Sequence, residues 1–274
     1  MKKKSIRILA LVLALTSALA LTGCGNEKAA EENTTIRVGA SPAPHAEILE
    51  VIADNLADEG YNLEIVEYND YILPNKGVSE GDLDANYFQH ISYLDNYNEE
   101  NGTTLVSAGA IHYEPFALYA GKTKSIDALT SGAQIAVPND GTNEGRALKL
   151  LEAEGLITLK PDAGFLATKL DIVENPLNLD IVEMEAAQLP RVLSTVDMAV
   201  INGNYAIAAD LDLSDALAME ASDSEAAGAY ANVVAVESGN ENSPKIKALV
   251  SALQSDEVKQ FMEETYGGAV VPLF

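Results

Sequence analysis

Few side chains in this chain of 274 residues have the type and spacing that chemistry requires. The three histidines, His45, His90 and His112, lie in separate segments, and no two have the i, i+4 spacing that places both on one helix face. A zinc or manganese site built from all three and a carboxylate is one hypothesis, and three hydrogen-bonded structural histidines are the other. No His-Glu-x-x-His helix or Gly-x-x-x-x-Gly-Lys loop occurs. Acidic residues are too numerous for any pair to indicate a general acid and base, so the sequence favours a binding protein over an enzyme or a purely structural protein.

Arg146 is the cation best placed to bind an anionic group. It follows Asn139-Asp140-Gly141-Thr142, which predicts the start of a helix. The backbone N–H groups and the dipole at that end of a helix favour an anion, and a guanidinium can bind a carboxylate through two parallel hydrogen bonds. The alternative is a solvated arginine on the helix surface.

Strand and helix patterns alternate along the chain after residue 34. Residues 35–40 have the pattern of a first strand, and Pro44 can then open a helix that ends near Gly60. Further strands are predicted over residues 63–68, 83–87, 133–137, 179–184, 196–201 and 231–236, and helices through Val78 and over residues 91–98, 146–154 and 243–266. Such alternation predicts an α/β protein with mostly parallel sheets, and the strands suffice for two lobes that face each other across a cleft.

The first 24 residues have the pattern of an export signal. Lys2, Lys3, Lys4 and Arg7 precede an apolar run over residues 8–21 that is short for a membrane span. Leu21-Thr22-Gly23-Cys24 is similar to a bacterial lipobox, which implies cleavage before Cys24 and its lipidation. An ordinary signal peptide with a chance cysteine is the alternative. Cys24 is the only cysteine, so an intramolecular disulfide is excluded.

The residues after Cys24 are small and polar, and they predict a flexible tether between a lipid anchor and a folded domain. The formal net charge of −25 lacks the basic footprint of a nucleic-acid-binding protein. It mildly favours neutral or zwitterionic ligands, although an acidic surface also serves solubility.

Several stretches, in order along nearly the whole chain after the tether, closely resemble the MetQ/NlpA family of methionine-binding lipoproteins. Three of them are Pro44-His45-Ala46-Glu47-Ile48, Asp84-Ala85-Asn86-Tyr87-Phe88-Gln89-His90 and Val137-Pro138-Asn139-Asp140-Gly141-Thr142-Asn143-Glu144-Gly145-Arg146; the others cover residues 69–75, 147–148, 173–176, 187–191, 199–206, 230–232 and 254–258. The resemblance implies a type II-like periplasmic-binding-protein fold with two crossovers between its lobes. It also implies a methionine ligand, no cofactor, and delivery to the permease and ATPase of an ABC importer by a monomer anchored on the extracytoplasmic face of the membrane.

We accordingly divide the chain into five segments. They are a signal peptide over residues 1–23, a lipid-anchored tether over 24–34, the first part of lobe 1 over 35–117, lobe 2 over 118–229, and a return to lobe 1 with the C-terminal helix over 230–274.

Asparagines are the expected partners for the two charged groups of an amino acid. Asn202 and Asn204 follow a predicted buried strand, and Asn232 directly precedes the apolar residues 233–236 of another strand. Asn143 lies in the stretch around Arg146 that resembles the family. An asparagine carbonyl can accept a hydrogen bond from an ammonium, and its amide can donate one to a carboxylate. Turn residues without a ligand are the alternative.

The ligand's side chain is expected to lie among Tyr68, Phe88, His90 and Tyr93, because aromatic rings contact a thioether sulfur favourably by roughly 0.3–1.5 kcal/mol each. His90 and Tyr93 are three residues apart at a helix start and so point the same way. Phe88 by itself is typical of a protein core, and its place beside His90 in the family's motif is what favours a ligand contact. Tyr71 and Tyr87 are weaker candidates that are expected to pack in the protein. The exact ligand stays open among L-methionine, D-methionine, a derivative and a short peptide, since Glu237 and His112 depart from the family's pattern.

Overall fold

The computed structural model describes residues 34–220 and 228–274. The predicted signal peptide, the lipidation site at Cys24 and the predicted tether up to residue 33 lie outside these residues. Among the helices that are described, none is long and apolar enough to cross a membrane.

The described strands form two large sheets and one small one. In chain order they are β1 Thr35–Ala40, β2 Asn62–Glu67, β3 Ala85–His90, β4 Leu105–Tyr113, β5 Ala117–Ala120, β6 Gln134–Pro138, β7 Thr158–Leu159, β8 Ile172–Glu174, β9 Asp180–Met184, β10 Met198–Ile201, β11 Ala218–Met219, β12 Ala231–Glu237 and β13 Val271–Pro272. One sheet has the order β13-β4-β12-β3-β1-β2 and the second the order β11-β5-β10-β6-β9, while β7 and β8 form a hairpin-like pair. The α/β architecture predicted from the strand–helix alternation is confirmed.

The six-stranded sheet is parallel at one edge and antiparallel at the other. Strand β1 pairs in parallel with β2 and β3, and β12 runs antiparallel to both β3 and β4. Ile36, Val38 and Ala40 of β1 are fully buried against the helices on one face. The alternation of these residues along β1 is what the sequence pattern predicted, since side chains two apart lie on the same face of a strand.

The five-stranded sheet has a parallel centre, in which β6 lies between β9 and β10. All four residues of β10, from Met198 to Ile201, are buried, as expected for a strand that is covered on both faces. The chain passes from the first sheet to the second between Tyr113 and Ala117, and it returns between Met219 and Ala231. The two crossovers implied by the family resemblance are thereby present.

The helices flank the two large sheets. They are α1 Glu47–Val51, α2 Ala53–Asp58, α3 Leu73–Ser79, α4 Ile91–Asn101, α5 Gly141–Ala153, α6 Leu189–Val192, α7 Gly203–Ile207, α8 Pro244–Leu253 and α9 Asp256–Tyr266. Single helical turns occupy Pro42–Ala46, Ile126–Ala128, Gly164–Leu166, Lys169–Asp171, Ala186–Gln188 and Leu213–Asp215.

Two helices predicted as continuous are divided. The helix expected from Pro44 to near Gly60 is broken at Ile52, and the helix expected over residues 243–266 is broken at Gln254 and Ser255. The second break has a local cause, because the Ser255 hydroxyl accepts a hydrogen bond from the N–H of Val258 and so caps a new helix. Helix α5 begins five residues earlier than predicted, at Gly141, because the Asp140 carboxylate caps its first turn through the N–H of Asn143.

Gly145 allows α5 to lie directly against the turn Gly164–Leu166. A Cβ atom at position 145 would lie 2.3 Å from the carbonyl oxygen of Phe165, whereas one at Gly141, in the same helix, would have no heavy atom closer than 3.8 Å. We expect Gly145→Ala to lower the free energy of unfolding by about 1–3 kcal/mol, since backbone must move to admit the methyl group. Urea unfolding measures this change, with Gly141→Ala as the matched control. Equal stability of the two variants would contradict the close approach.

Candidate ligand-binding site

A small cavity lies between residues of the two large sheets. Its wall is formed by Tyr71, Phe88, Gln89, His90, Tyr93, Glu114, Asn143, Arg146, Asn202, Gly203, Asn204 and Asn232. This set contains every ligand-binding residue predicted from the sequence except Tyr68. The contributing segments are the ends of β3 and β10, the start of β12, the first turns of α4 and α5, and the first crossover. Polar groups at strand ends and helix starts thus meet in one enclosed space, as is common for ligand sites in α/β proteins.

Tyr71 rather than Tyr68 supplies the tyrosine that follows β2. Tyr68 packs below the cavity, where its ring and hydroxyl lie 3.2 Å and 3.8 Å from the positions that Cβ atoms would have at Gly39 and Gly77. Tyr71 lies beyond the strand end, in a bend where the Asp70 carboxylate accepts hydrogen bonds from the N–H groups of Ile72 and Leu73. The sequence favoured Tyr68 over Tyr71, which was a weaker candidate, because strand periodicity does not show the change of chain direction past residue 67.

Three aromatic rings form one end of the cavity. The Tyr71 ring lies 5.7 Å from that of Phe88 and 5.6 Å from that of Tyr93, and the last two are 6.1 Å apart. His90 adjoins them, with its ring 6.2 Å from that of Tyr93. Edge contacts of this kind leave ring faces and edges available to an apolar or thioether side chain.

Arg146 also lines the cavity and is only 4 % exposed. Its guanidinium carbon lies 4.1 Å from the centre of the Tyr230 ring and 4.8 Å from that of Phe116. Arg146 is not the solvated surface arginine of the alternative hypothesis, and it pairs with Glu220, which the sequence did not predict. Its Nε donates to both Glu220 carboxylate oxygens at 2.9 and 3.0 Å, and its Nη2 donates to Glu220 Oε2 at 2.7 Å and to the Glu114 carbonyl at 2.9 Å. Burial lowers the pKa of Arg146, but the charge of Glu220 more than offsets this and raises it.

The hydrogen bonds from Arg146 to Glu220 and to the Glu114 carbonyl use Nε and Nη2, and none of them uses Nη1. Glu220 also accepts hydrogen bonds from the Tyr113 hydroxyl and, at 3.3 Å, from the N–H of Phe116. Glu220 therefore holds the guanidinium in place from one side. The remaining edge of the guanidinium can donate to a second acceptor.

The asparagine side chains are oriented by a chain of hydrogen bonds. Asn143 donates from Nδ2 to Asp140, so its Oδ1 faces the cavity side, where it accepts from Asn202 Nδ2 at 2.8 Å and from His90 Nε2 at 3.2 Å. This orientation leaves Asn202 Oδ1 buried without a hydrogen-bond donor among the described residues. A buried acceptor of this kind is costly unless a donor reaches it, so Asn202 is suited to a ligand N–H group.

Asn204 and Asn232 are held in a similar way. Asn204 Oδ1 accepts from the Tyr71 hydroxyl, which connects the aromatic end to α7. Asn232 Oδ1 accepts from His45 Nε2 at 3.0 Å, so its Nδ2 group is left to donate to a ligand. The amides therefore offer both acceptors and donors around the cavity, which suits a zwitterion.

Glu114 is the charged residue of the cavity wall that the sequence did not predict. Its carboxylate lines the cavity and receives hydrogen bonds from His112 Nε2 at 2.8 Å and from the N–H of Asn204, with His45 Nε2 at 3.5 Å. Burial raises the pKa of Glu114, but these hydrogen bonds and the neighbouring histidines outweigh it and bring the pKa below its usual value. Its placement also needs Gly203, because a Cβ there would lie 2.7 Å from the carboxylate. In a chain with 42 acidic residues, no local signal distinguishes this one.

Two of the three histidines lie close to a carboxylate, in an arrangement that bears on the metal hypothesis. His45, His112 and Glu114 come together, with one ligand atom of each within 4.8 Å of the others, whereas His90 lies apart beside Asn143. His112 Nε2 donates to the Glu114 carboxylate, so Nδ1 is the nitrogen that accepts from the Tyr87 hydroxyl. A metal ion would require the opposite tautomer of both imidazoles, and His45 Nδ1 is buried with no acceptor among the described residues. Because ligating histidines normally donate from their second nitrogen, this cluster fits a hydrogen-bonded carboxylate better than a metal.

His90 is neutral around pH 7. Burial lowers its pKa to about 3, assisted by the positive charge of Arg146. Its Nδ1 accepts the N–H of Tyr93 and caps α4, and its Nε2 therefore carries the proton that is donated to Asn143. His90 thus contributes an uncharged ring to the cavity wall.

The segment Gly77-Val78-Ser79-Glu80-Gly81 matches the Gly-x-Ser-x-Gly pattern of serine hydrolases, and the structure excludes that role for it. The segment lies at the end of α3 instead of a strand-to-helix turn, and the Ser79 hydroxyl donates to the Lys76 carbonyl at the surface. None of the three histidines bonds to it in the structure.

The model of the NlpA lipoprotein family matches residues 36–274. The D-methionine-binding lipoprotein MetQ of Salmonella typhimurium is 44% identical over 267 residues, which are 96% of each chain. A lipoprotein structure from Ruminococcus gnavus has a TM-score of 0.87 and 55% identity, and covers 88% of this chain and 100% of its own. The structure of a nutrient-binding protein from Burkholderia cenocepacia, bound to methionine, has a TM-score of 0.83 and 47% identity, and covers 87% of this chain and 100% of its own. The two-lobe binding-protein fold expected from the sequence is thereby confirmed.

The depressed pKa values of two buried histidines predict that stability falls in mild acid. Burial lowers the pKa of His45 to about 4 and that of His90 to about 3, both from 6.5. Below pH 6.5 the unfolded chain binds protons that the folded chain does not, so the free energy of unfolding decreases as pH falls from 6.5 toward 4. Each such histidine contributes a slope of about 1.4 kcal/mol per pH unit once its unfolded form is protonated.

Urea unfolding of the ligand-free protein between pH 7 and pH 5 measures this slope. We expect His90→Asn, which can still cap α4, to have a smaller dependence of the unfolding free energy on pH. The slope should fall by up to about 1.4 kcal/mol per pH unit, which corresponds to one proton. A slope identical to that of the original protein would mean that His90 titrates alike in the folded and unfolded chains.

Proposed function

Because the chain belongs to the NlpA lipoprotein family, we propose that it is a substrate-binding lipoprotein of an ABC importer. It binds methionine, as the L or D form or a close derivative, and delivers it to the permease and its ATPase. It is a binding protein and not an enzyme. It acts as a monomer, anchored through a lipid on Cys24 to the extracytoplasmic face of the cell membrane.

The observation that carries this proposal is the combination of chemical groups in the cavity wall. The wall contains three clustered aromatic rings, the neutral His90 and the Arg146 guanidinium. The Glu114 carboxylate and the Asn202 carbonyl oxygen lie on the wall as acceptors. An amino acid with an apolar side chain presents the complementary three groups.

The ligand's ammonium belongs with Glu114 and Asn202. Glu114 supplies a negative charge, and Asn202 Oδ1 supplies an acceptor that no donor of the described residues reaches. Because Arg146 is already balanced by Glu220, the carboxylate of Glu114 is the charge in the cavity wall that a cationic ligand group would balance. Burying an ion without such a partner is strongly unfavourable, so this position selects a protonated amine.

The ligand's carboxylate belongs with Arg146 and Asn232. Nη1 of Arg146 makes none of the hydrogen bonds to Glu220, and Asn232 can donate from Nδ2 since its Oδ1 faces His45. Two donors converging on one carboxylate fix its orientation. The side chain then extends toward Tyr71, Phe88 and Tyr93, whose rings favour a thioether.

Removing either donor to the carboxylate should weaken methionine binding. We expect Arg146→Ala and Asn232→Ala each to raise the Kd at least about tenfold, which corresponds to about 1.4 kcal/mol. Isothermal titration with L- and D-methionine measures the change. Arg191→Ala is the matched control, because Arg191 is exposed and lies outside the cavity wall. Unchanged affinity in both cavity variants would refute the assignment of these two residues.

Removing the charge of Glu114 should affect the ammonium selectively. We expect Glu114→Gln to weaken methionine binding by about tenfold or more, since a charge-assisted hydrogen bond is lost. Binding of 4-(methylthio)butanoate, which lacks the ammonium, should be weakened less or strengthened. Competition titrations of both ligands give the ratio of affinities, and a ratio unchanged by the substitution would contradict the role of Glu114.

A further inference from the structure

A groove of about 860 Å³ lies outside the cavity and shares two of its wall residues, Tyr71 and Tyr93. Ile72, Leu73 and Ala186 contribute apolar surface to the groove, and the side chains of Ile72 and Leu73 are 63 % and 48 % exposed. The two spaces adjoin at the aromatic end of the cavity, where the proposed function places the end of the ligand's side chain.

The Tyr71 ring is the partition between these spaces. On the cavity side it contacts Phe88, and on the groove side it lies 4.9 Å from the ring of Tyr205, which lines only the groove. Its hydroxyl donates to Asn204 Oδ1 at 2.5 Å, and its carbonyl accepts from the Tyr93 hydroxyl at 3.1 Å. Tyr71 is thus held at both ends, by residues from opposite sides of the cavity.

We infer that Tyr71 sets the length of side chain that the cavity accepts, and that the groove behind it is a subsite for the continuation of a longer one. This inference rests on the proposed binding of methionine. With the ring in place, a side chain much longer than that of methionine meets the closed wall. Without the ring, the cavity opens into the groove and the added methylene groups are buried there.

The groove also limits the chemistry of such an extension. Asp70, Asp140 and Glu185 lie around it, and each is acidic. The Asp140 carboxylate is committed within the protein, since it accepts hydrogen bonds from Thr142 and Asn143. A neutral alkyl extension suits the apolar surface, whereas an extension that ends in a carboxylate meets like charges.

The test uses a length series of S-alkyl homocysteines on the full extracytoplasmic chain. For the original protein, we expect the Kd to rise about tenfold or more from the S-methyl compound, which is methionine, to the S-butyl compound, since one misplaced methylene can cost that much. In Tyr71→Ala and in the less disruptive Tyr71→Leu, the rise in Kd from the S-methyl to the S-butyl compound should be less than about threefold. Tyr71→Phe is the matched control, because it keeps the ring and should keep the length limit even where its affinity changes.

Two results would overturn the inference while leaving the proposed function intact. The first is equal binding of methionine and the S-butyl compound by the original protein. The second is a rise in Kd between these two ligands that is as large in both Tyr71→Ala and Tyr71→Leu as in the original protein. Failure of the original protein to bind methionine at all would instead remove the proposed function, and the inference with it. A homologue ending in a carboxylate should gain little affinity in Tyr71→Ala, and a gain equal to that of the S-butyl compound would contradict the assignment of the groove.

Discussion

The arrangement of the cavity depends on a charge that is buried with its partner inside the protein. Arg146 cannot remain ionised out of water without an anion, and Glu220 meets that need through three hydrogen bonds. Removing one member of such a pair typically costs about 3–5 kcal/mol, because the other is left buried and unpaired. The pair therefore fixes the guanidinium between the rings of Phe116 and Tyr230 before any ligand arrives. Pre-positioning of this kind reduces the ordering that binding must bring about.

Burial and hydrogen bonding together determine which other groups in and around the cavity wall are charged. His45 and His90 are kept neutral by burial, and the donors around Glu114 keep that carboxylate ionised. The result is a cavity with one cation, Arg146, that Glu220 balances and one anion, Glu114, that pairs with no lysine or arginine of the described residues. An amino acid offers its ammonium to Glu114 and its carboxylate to the free edge of the Arg146 guanidinium. The same hydrogen bonds set the tautomers of the imidazoles, and those tautomers make the cluster of His45, His112 and Glu114 a poor metal site.

The two sheets contribute to the cavity in different ways. The six-stranded sheet supplies the aromatic end through β3 and the bend after β2, and the five-stranded sheet supplies polar groups after β10 and at the start of α5. Tyr71 connects them through its bond to Asn204. A side chain that joins both parts of the wall can control the shape of the cavity as well as its polarity, and this is why a ring at that position can limit ligand length.

The sequence by itself determined the family, the α/β architecture and most of the wall. Apolar periodicity located the strands, and Phe88, His90 and Tyr93 follow from a local motif whose spacing places them on one side of the end of a strand and the start of a helix. Arg146 and the asparagines were likewise recognisable from their place after strands and at a helix start. These signals are local, so one chain segment is sufficient to show them.

Only the tertiary structure decided which distant groups face these residues. Glu220 is 74 residues from Arg146 in the chain, and Glu114 meets His45 across 69 residues, so no local pattern predicts either pairing among 42 acidic side chains. Tyr71 replaced Tyr68 in the wall because the chain turns after β2 and strand alternation ceases to apply. The physical reason is common to all three cases. Periodicity reports which face of an element is buried, whereas long-range packing determines what that face meets.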